Sequence, residues 1–265
     1  MAVAVGTHAY SLGTSPCTGL GLSWTANELD EAIEGSVAAV IFDDAGNANI
    51  ATLLAGLAET QFEQAGIAEI LRTPGGFESW RVGEAIAETY LTDHRDCTFP
   101  WPDGRDERKS GSSLPGADLV GFTTDAQGTC FAFGEVKTSS EDKHPPGATY
   151  GRTGLKQQLE DLRDSARIRT DLIRYLGHRA SGADWLPRFR DAARRYVRNG
   201  ADFRVYGILI RDVGPHEDDL RVRVAALNEG CPAGTGIELL SVYLPGGSID
   251  ELVAKTQAAK PEGSA

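Results

Sequence analysis

What this sequence has little of narrows it first. Its four cysteines, Cys17, Cys97, Cys130 and Cys231, are scattered and include no CxxC pair. A zinc site is therefore not expected, and free thiols in a reducing cytoplasm are. No apolar run approaches the roughly 20 residues needed to span a bilayer. The opening MAVAVGTHAYSLGTSPC has no basic stretch before an apolar one, so neither a secretory leader nor a membrane partner is expected. GxSxG, HExxH and GxxxxGK[ST] are all missing and the five histidines are dispersed, which leaves those hydrolase and ATPase classes without support. Internal repeats and low-complexity tracts are absent as well.

Positive charge is scarce overall but not everywhere. The net charge is −12, which argues against a protein that coats nucleic acid without specificity. Residues 152–211 hold 14 Lys and Arg against 7 Asp and Glu, a balance of +7, and the rest of the chain carries −19. A basic segment thus sits on an acidic body. Its arginines are either solvated and salt-bridged or turned toward phosphates.

What is present fits a soluble α/β (α+β) protein. At 265 residues, 41% hydrophobic and 24% charged, the chain can bury a sizeable core. Residues 1–35 show little periodicity apart from a helix start at Thr25–Asp30. The apolar run Val37–Phe42 predicts a strand, and a helix is expected over 49–71, broken or bent near Gly66. Asp43 and Asp44 read as an acidic strand-to-helix turn. After the breaker Thr73–Gly76 comes a helix over 77–91 with two apolar stripes. Glu84 falls inside one stripe and Glu88 at its edge, so either is a candidate buried carboxylate. Residues 92–113 read as a long loop with a short strand near Cys97–Phe99. Helices are expected over 154–176 and 185–199, and strands at Phe203–Ile210, Leu220–Leu227 and Ile237–Leu244. Ser248–Glu251 has the form of a capping box opening a terminal helix, with a frayed tail beyond it.

The stretch Leu114–Ser140 carries the anomaly. It reads as two apolar strands joined by a turn at Asp125–Gly128. Asp118 lies on the first, and the second ends in Glu135-Val136-Lys137. Alternation puts Glu135 and Lys137 on one face. Charges at the ends of apolar strands are expensive unless paired or holding a metal. Two carboxylates at adjacent strand ends suit Mg²⁺ (or Mn²⁺), which accepts oxygen ligands, waters and a substrate phosphate. A lysine on that face would serve a hydrolytic water and charge developing on phosphorus. On the helix over 154–176, Gln158 projects beside the apolar stripe and Gln157 points away.

The order helix with Glu84, strand with Asp118, strand with Glu135-x-Lys137, long helix, strand resembles the PD-(D/E)XK nuclease superfamily across residues 77–211. That resemblance implies a restriction-endonuclease-like α-β-β-β-α-β core with a mixed sheet flanked by helices. It implies that Asp118 and Glu135 hold the metal with Glu84 as a further acid, that Lys137 is catalytic, and that Gln158 supports the site. Ala117 stands where the family's proline is usual. Arg81–Glu88, Pro115–Phe122 and Phe133–Lys137 are also similar to the nuclease subunit of Hachiman-type antiphage systems. This implies a helicase or ATPase partner and a DNA substrate, with RNA as the alternative. A nuclease-like scaffold without activity is the competing expectation. Pro102-Asp103 with Glu107-Arg108-Lys109 spells a similar motif, but no apolar strand carries it, and it is set aside. The expected organisation is an N-terminal αβ extension over 1–76 packed on a core over 77–265.

Overall fold

The computed structural model describes residues 2–71, 76–102, 105 and 116–260. Its centre is a strand buried on both faces, β6 (Phe203–Arg211), whose run FRVYGILIR leaves only Arg204 less than fully buried. Near-continuous apolar sequence of this kind belongs in the middle of a sheet covered by helices on both sides. Around it seven strands pair in the order β1-β2-β7-β6-β5-β4-β3. These are β1 (Thr7–Thr14), β2 (Cys17–Ser23), β3 (Cys97–Thr98), β4 (Leu119–Asp125), β5 (Gly128–Ser139) and β7 (Gly236–Tyr243). The β5–β6, β6–β7 and β2–β7 pairs are parallel; β1–β2, β3–β4 and β4–β5 are antiparallel. The sheet is therefore mixed.

The helices in chain order are α1 (Ala26–Ala32), α2 (Ala38–Ile41), α3 (Asp44–Leu54), α4 (Gln61–Leu71), α5 (Ser79–His94), α6 (Leu155–Asp164), α7 (Ala166–Ala180), α8 (Leu186–Arg198), α9 (Arg221–Asn228) and α10 (Leu252–Ala258). Two cores lie on opposite faces of the sheet. One joins α1, α5 and α10 to Val136, Ile208 and Val242. The other joins α6–α9 to Phe131, Phe133, Val205 and Leu239. The order α5-β3-β4-β5, then the helices from α6, then β6 is the expected helix-strand-strand-strand-helix-strand series.

Several expectations fail for identifiable reasons. Val37–Phe42 is helical, continuing from α1 through a π-type turn at Ile33–Val37 into α2. Ile33, Val37, Ala38 and Phe42 are buried at helical spacing, and that packing overrides their β propensity. Leu220–Leu227 is α9, not a strand: Leu220, Val224 and Leu227 are buried while Val222 is exposed, as a helical period demands. The helix over 49–71 is two helices broken at residues 55–60, and Gly66 is helical. The helix over 154–176 is also two, divided at Ser165, whose side chain accepts from the Ile168 amide. The Ser248 cap does not form. A 3₁₀ turn over Ser248–Glu251 precedes α10, and Asp212 accepts the Ile249 amide instead. The strands β1 and β2, within the stretch of little periodicity, extend the sheet beyond β7. Asp103, Glu107–Lys109 and Thr73–Gly75 lie outside the described residues, as does the chain beyond Lys260.

Candidate active site

The ladder between β4 and β5 ends with Leu119 opposite Gly134, so the next residues outward are Asp118 and Glu135. There a side chain takes over from the backbone: Asp118 Oδ2 accepts the Val136 amide at 2.8 Å. Alternation puts Phe131 and Phe133 into the core under α6–α8, and Glu135 and Lys137 follow on that face. Lys137 Nζ donates to Glu135 Oε1 at 2.7 Å and stands 3.9 Å from Asp118 Oδ2. Three charges are thus brought together at two neighbouring strand ends.

Their environments differ. Glu135 is sealed from solvent, whereas Asp118 and Lys137 keep about a fifth of their side-chain surface. Burial, and then the charge of Asp118, push the Glu135 carboxyl well above the ordinary range, to about 9, against the pull of Lys137. Its Oε2 has no hydrogen-bond partner. A buried carboxylate oxygen without a donor, beside a second carboxylate, fits a divalent cation among oxygen ligands. Among the described residues no three His, Cys, Asp or Glu side chains form a ligand group. The chain accordingly offers two carboxylates here, and a Mg²⁺ ion would draw its remaining ligands from water and other oxygens.

Gln158 reaches this face from α6. Gly207, which pairs with Glu135, has no Cβ; one would lie 2.6 Å from Leu159 and equally close to Leu239. The glycine lets α6 seat closely on β6. Gln158 is half-buried there, with Oε1 buried and lacking a partner. Gln157 is exposed and donates to Asp161 at 2.9 Å.

Glu84 comes from the other side of the sheet. α5 approaches β5 so closely that a Cβ on Gly83 would meet Thr138 Oγ1 at 2.1 Å. Glu84 follows and pairs with Arg81 at 3.0 Å. Glu84, Glu88 and Asp118 line one cleft with Asp43, Arg105 and Trp101. Glu84 therefore shares a cleft with Asp118, while Glu135 and Lys137 lie beyond its lining.

The chain matches no family model and no curated protein.

The basic segment divides between structural and exposed arginines. Arg169 is buried and donates to the Leu162 and Arg163 carbonyls, each at 2.7 Å. Arg195 bridges Asp125 and Asp202. Arg211 is fully buried and donates to the carbonyls of Ser139, Glu141 and Lys143. Arg152, Arg167, Arg190, Arg194 and Arg198 are exposed.

Two constellations were not anticipated. Asp43 caps α3 from a left-handed backbone and forms a bidentate pair with Arg105, both bonds 2.7 Å, beside the cleft. In the 3₁₀ turn Glu217–Asp219 before α9, Asp219 is buried and accepts from His144 at 2.9 Å and from the Tyr243 hydroxyl at 2.8 Å, next to Arg211. Asp43 reads as a turn acid, but nothing local marks a partner 62 residues away. His144 and Asp219 are 75 residues apart and carry no spacing signal.

Proposed function

We propose that this chain is a Mg²⁺- or Mn²⁺-dependent phosphodiester hydrolase of the PD-(D/E)XK type, acting on DNA. The observation that carries the reading is the convergence of Asp118, Glu135 and Lys137 at adjacent strand ends, with Glu135 Oε2 buried and unpartnered. The helix-strand-strand-strand-helix-strand order supports it, as does the mixed sheet.

Asp118 and Glu135 would hold the ion. When bound, it supplies charge to polarise a phosphoryl oxygen and to offset charge building on phosphorus. Lys137 is placed to orient the attacking water and to stabilise that same charge. Gln158, whose Oε1 is buried without a partner on the same sheet face, would offer an acceptor to the site. Glu84, across the cleft from this group, helps order water or metal on the Asp118 side. Phosphates of the strand run along the exposed arginines of α7 and α8, since the buried ones are committed to the fold. A body of net charge −12 holds DNA weakly by itself. A helicase or ATPase partner that delivers the strand, as in antiphage defence, completes the proposal.

Cleavage of plasmid, linear DNA and RNA by the purified chain, with and without Mg²⁺ and with the partner subunit, tests it. Lys137→Ala and Glu135→Ala should each lower metal-dependent cleavage by at least a hundredfold while the melting transition persists. Cleavage by the double variant at the wild-type rate would sink the reading.

One observation favours a second reading, a scaffold with no activity. Lys137 already bonds Glu135 and stands 3.9 Å from Asp118, so both carboxyl groups have a cation beside them without a metal ion. Calorimetry decides between the two. Binding of Mn²⁺ that disappears in Asp118→Ala supports the hydrolase, and no heat at millimolar Mn²⁺ supports the scaffold.

A further inference from the structure

The N-terminal helical hairpin α3–α4 is built unlike the rest of the molecule. Of the nine large hydrophobic side chains exposed among the described residues, five fall in it: Ile50, Leu53, Leu57, Phe62 and Ile70. Phe62 is 89% exposed and Leu53 78%. α4 buries no residue at all, and α3 buries only Gly46. α4 packs against α3, and α3 in turn against α2. Scattered exposed apolar residues are ordinary, but a cluster on one element marks a contact surface.

The cluster also has a shape. Phe62, Gly66 and Ile70 are spaced i, i+4, i+8 and share one face of α4. A Cβ on Gly66 would meet nothing within 4 Å. Two apolar knobs therefore flank an open notch over bare backbone. Glycine disfavours a helix interior, and this one neither bends the helix nor relieves a close approach. The helix is nonetheless fixed locally, because Glu63 accepts the Glu59 and Thr60 amides and Thr60 Oγ1 accepts the Glu63 amide. Eleven-residue helices are marginal in water without an apolar face to bury.

Charge says what covers it. Residues 1–71 contain nine acidic residues and not one Lys or Arg; the first basic residue is Arg72. The hairpin that carries the knobs also carries Asp44, Glu59, Glu63 and Glu69. Such a surface repels anionic lipid and nucleic acid and attracts a cationic rim. The chain's own basic helices fit poorly as a covering, since α8 exposes only Val197 as a large apolar side chain.

We infer that the α3–α4 hairpin is a protein-docking surface for a partner that presents an apolar helix or ridge flanked by Lys and Arg. Phe62 and Ile70 are its anchors, and a partner side chain enters the notch over Gly66. This rests on α3 and α4 alone and stands whether or not the Asp118 site cleaves DNA.

The probe is a labelled synthetic amphipathic Leu/Lys helix titrated with the full chain. A scrambled peptide of the same composition, and a Leu/Glu helix of the same pattern, serve as comparisons. The Leu/Lys helix should bind at least tenfold more tightly than either. Phe62→Ser with Ile70→Ser should remove at least tenfold of that affinity without changing the melting transition, and Val197→Ser should not. Equal binding of the scrambled peptide, or binding indifferent to the double substitution, overturns the inference. So does self-association of the chain, or adsorption to phosphatidylcholine vesicles, that the double substitution abolishes. In those cases the hairpin meets a second copy or a lipid surface.

Discussion

Glu135 is a residue held against its own preference. Sealed from water and facing a second carboxylate, it has a pKa raised to about 9, so the folded chain binds a proton at neutral pH that the unfolded chain does not. The sign of the linkage follows: the cost is absent below the unfolded value near 4.5 and grows as pH rises toward the folded value. Glu135→Gln removes it. The substitution should therefore stabilise the metal-free protein by about 1–3 kcal/mol at pH 7–8 and by little at pH 4–5. Urea unfolding across that range measures the difference, and a gain that did not shrink on acidification would contradict it. The same substitution should abolish divalent-ion binding. Much of this was legible, because alternation along a strand places Glu135 and Lys137 together and a 100° step chooses Gln158 over Gln157. The direct Lys137–Glu135 bond was not, since spacing shows a shared face and no distances.

At the scale of elements, legibility followed how local the deciding forces were. α5, α8 and the strands β4 to β7 carry their own patterns, and the Asp125–Gly128 turn appears where expected. α9 shows the ambiguity in a short alternating run: Leu220, Val222 and Val224 fit a strand, and Leu220, Val224 and Leu227 fit a helix. The surface of β1 and β2 selects the helix, because Val224 packs over Gly13 and Gly19. β1 and β2 give little strand signal because Gly and Ser interrupt their apolar alternation, and the pairing of β2 with β7 is remote in sequence. The α6–α7 break hides similarly. Arg169, one turn into α7, satisfies the last carbonyls of α6 and lies over the Phe203 ring at 4.4 Å. Arg169→Ala should destabilise the fold by roughly 2–3 kcal/mol, since those carbonyls lose charged donors in a buried place. Arg169→Lys should recover only part of it, for lack of the planar fork. Thermal melting reads both; an unaffected melt would show that the break is held otherwise.

Across the whole molecule, ion pairs fasten elements that are distant in the chain. Asp125, at the end of β4, receives two bonds from Arg195 on α8 and one from Arg204 on β6. Arg195 foremost holds its carboxyl down at about 2. A lowered carboxylate pKa gives stability that is present above the unfolded value near 4 and lost as pH falls toward 2. Asp125→Asn should therefore lower the urea midpoint at pH 6 and converge with the wild type by about pH 2. A gap that persisted at pH 2 would place the effect elsewhere. The sheet also ties the two ends of the described chain. β2 lies against β7, and the Tyr10 and Tyr243 hydroxyls meet at 2.8 Å across 233 residues of sequence. On a ribosome making about 5–20 residues per second, the first hairpin waits roughly 10–50 s for the strand that completes it. Throughout that interval β2 shows an open edge to its neighbours. The earliest-made part of the sheet is thus the last to be secured, and the growing chain is most exposed to mispairing along β2.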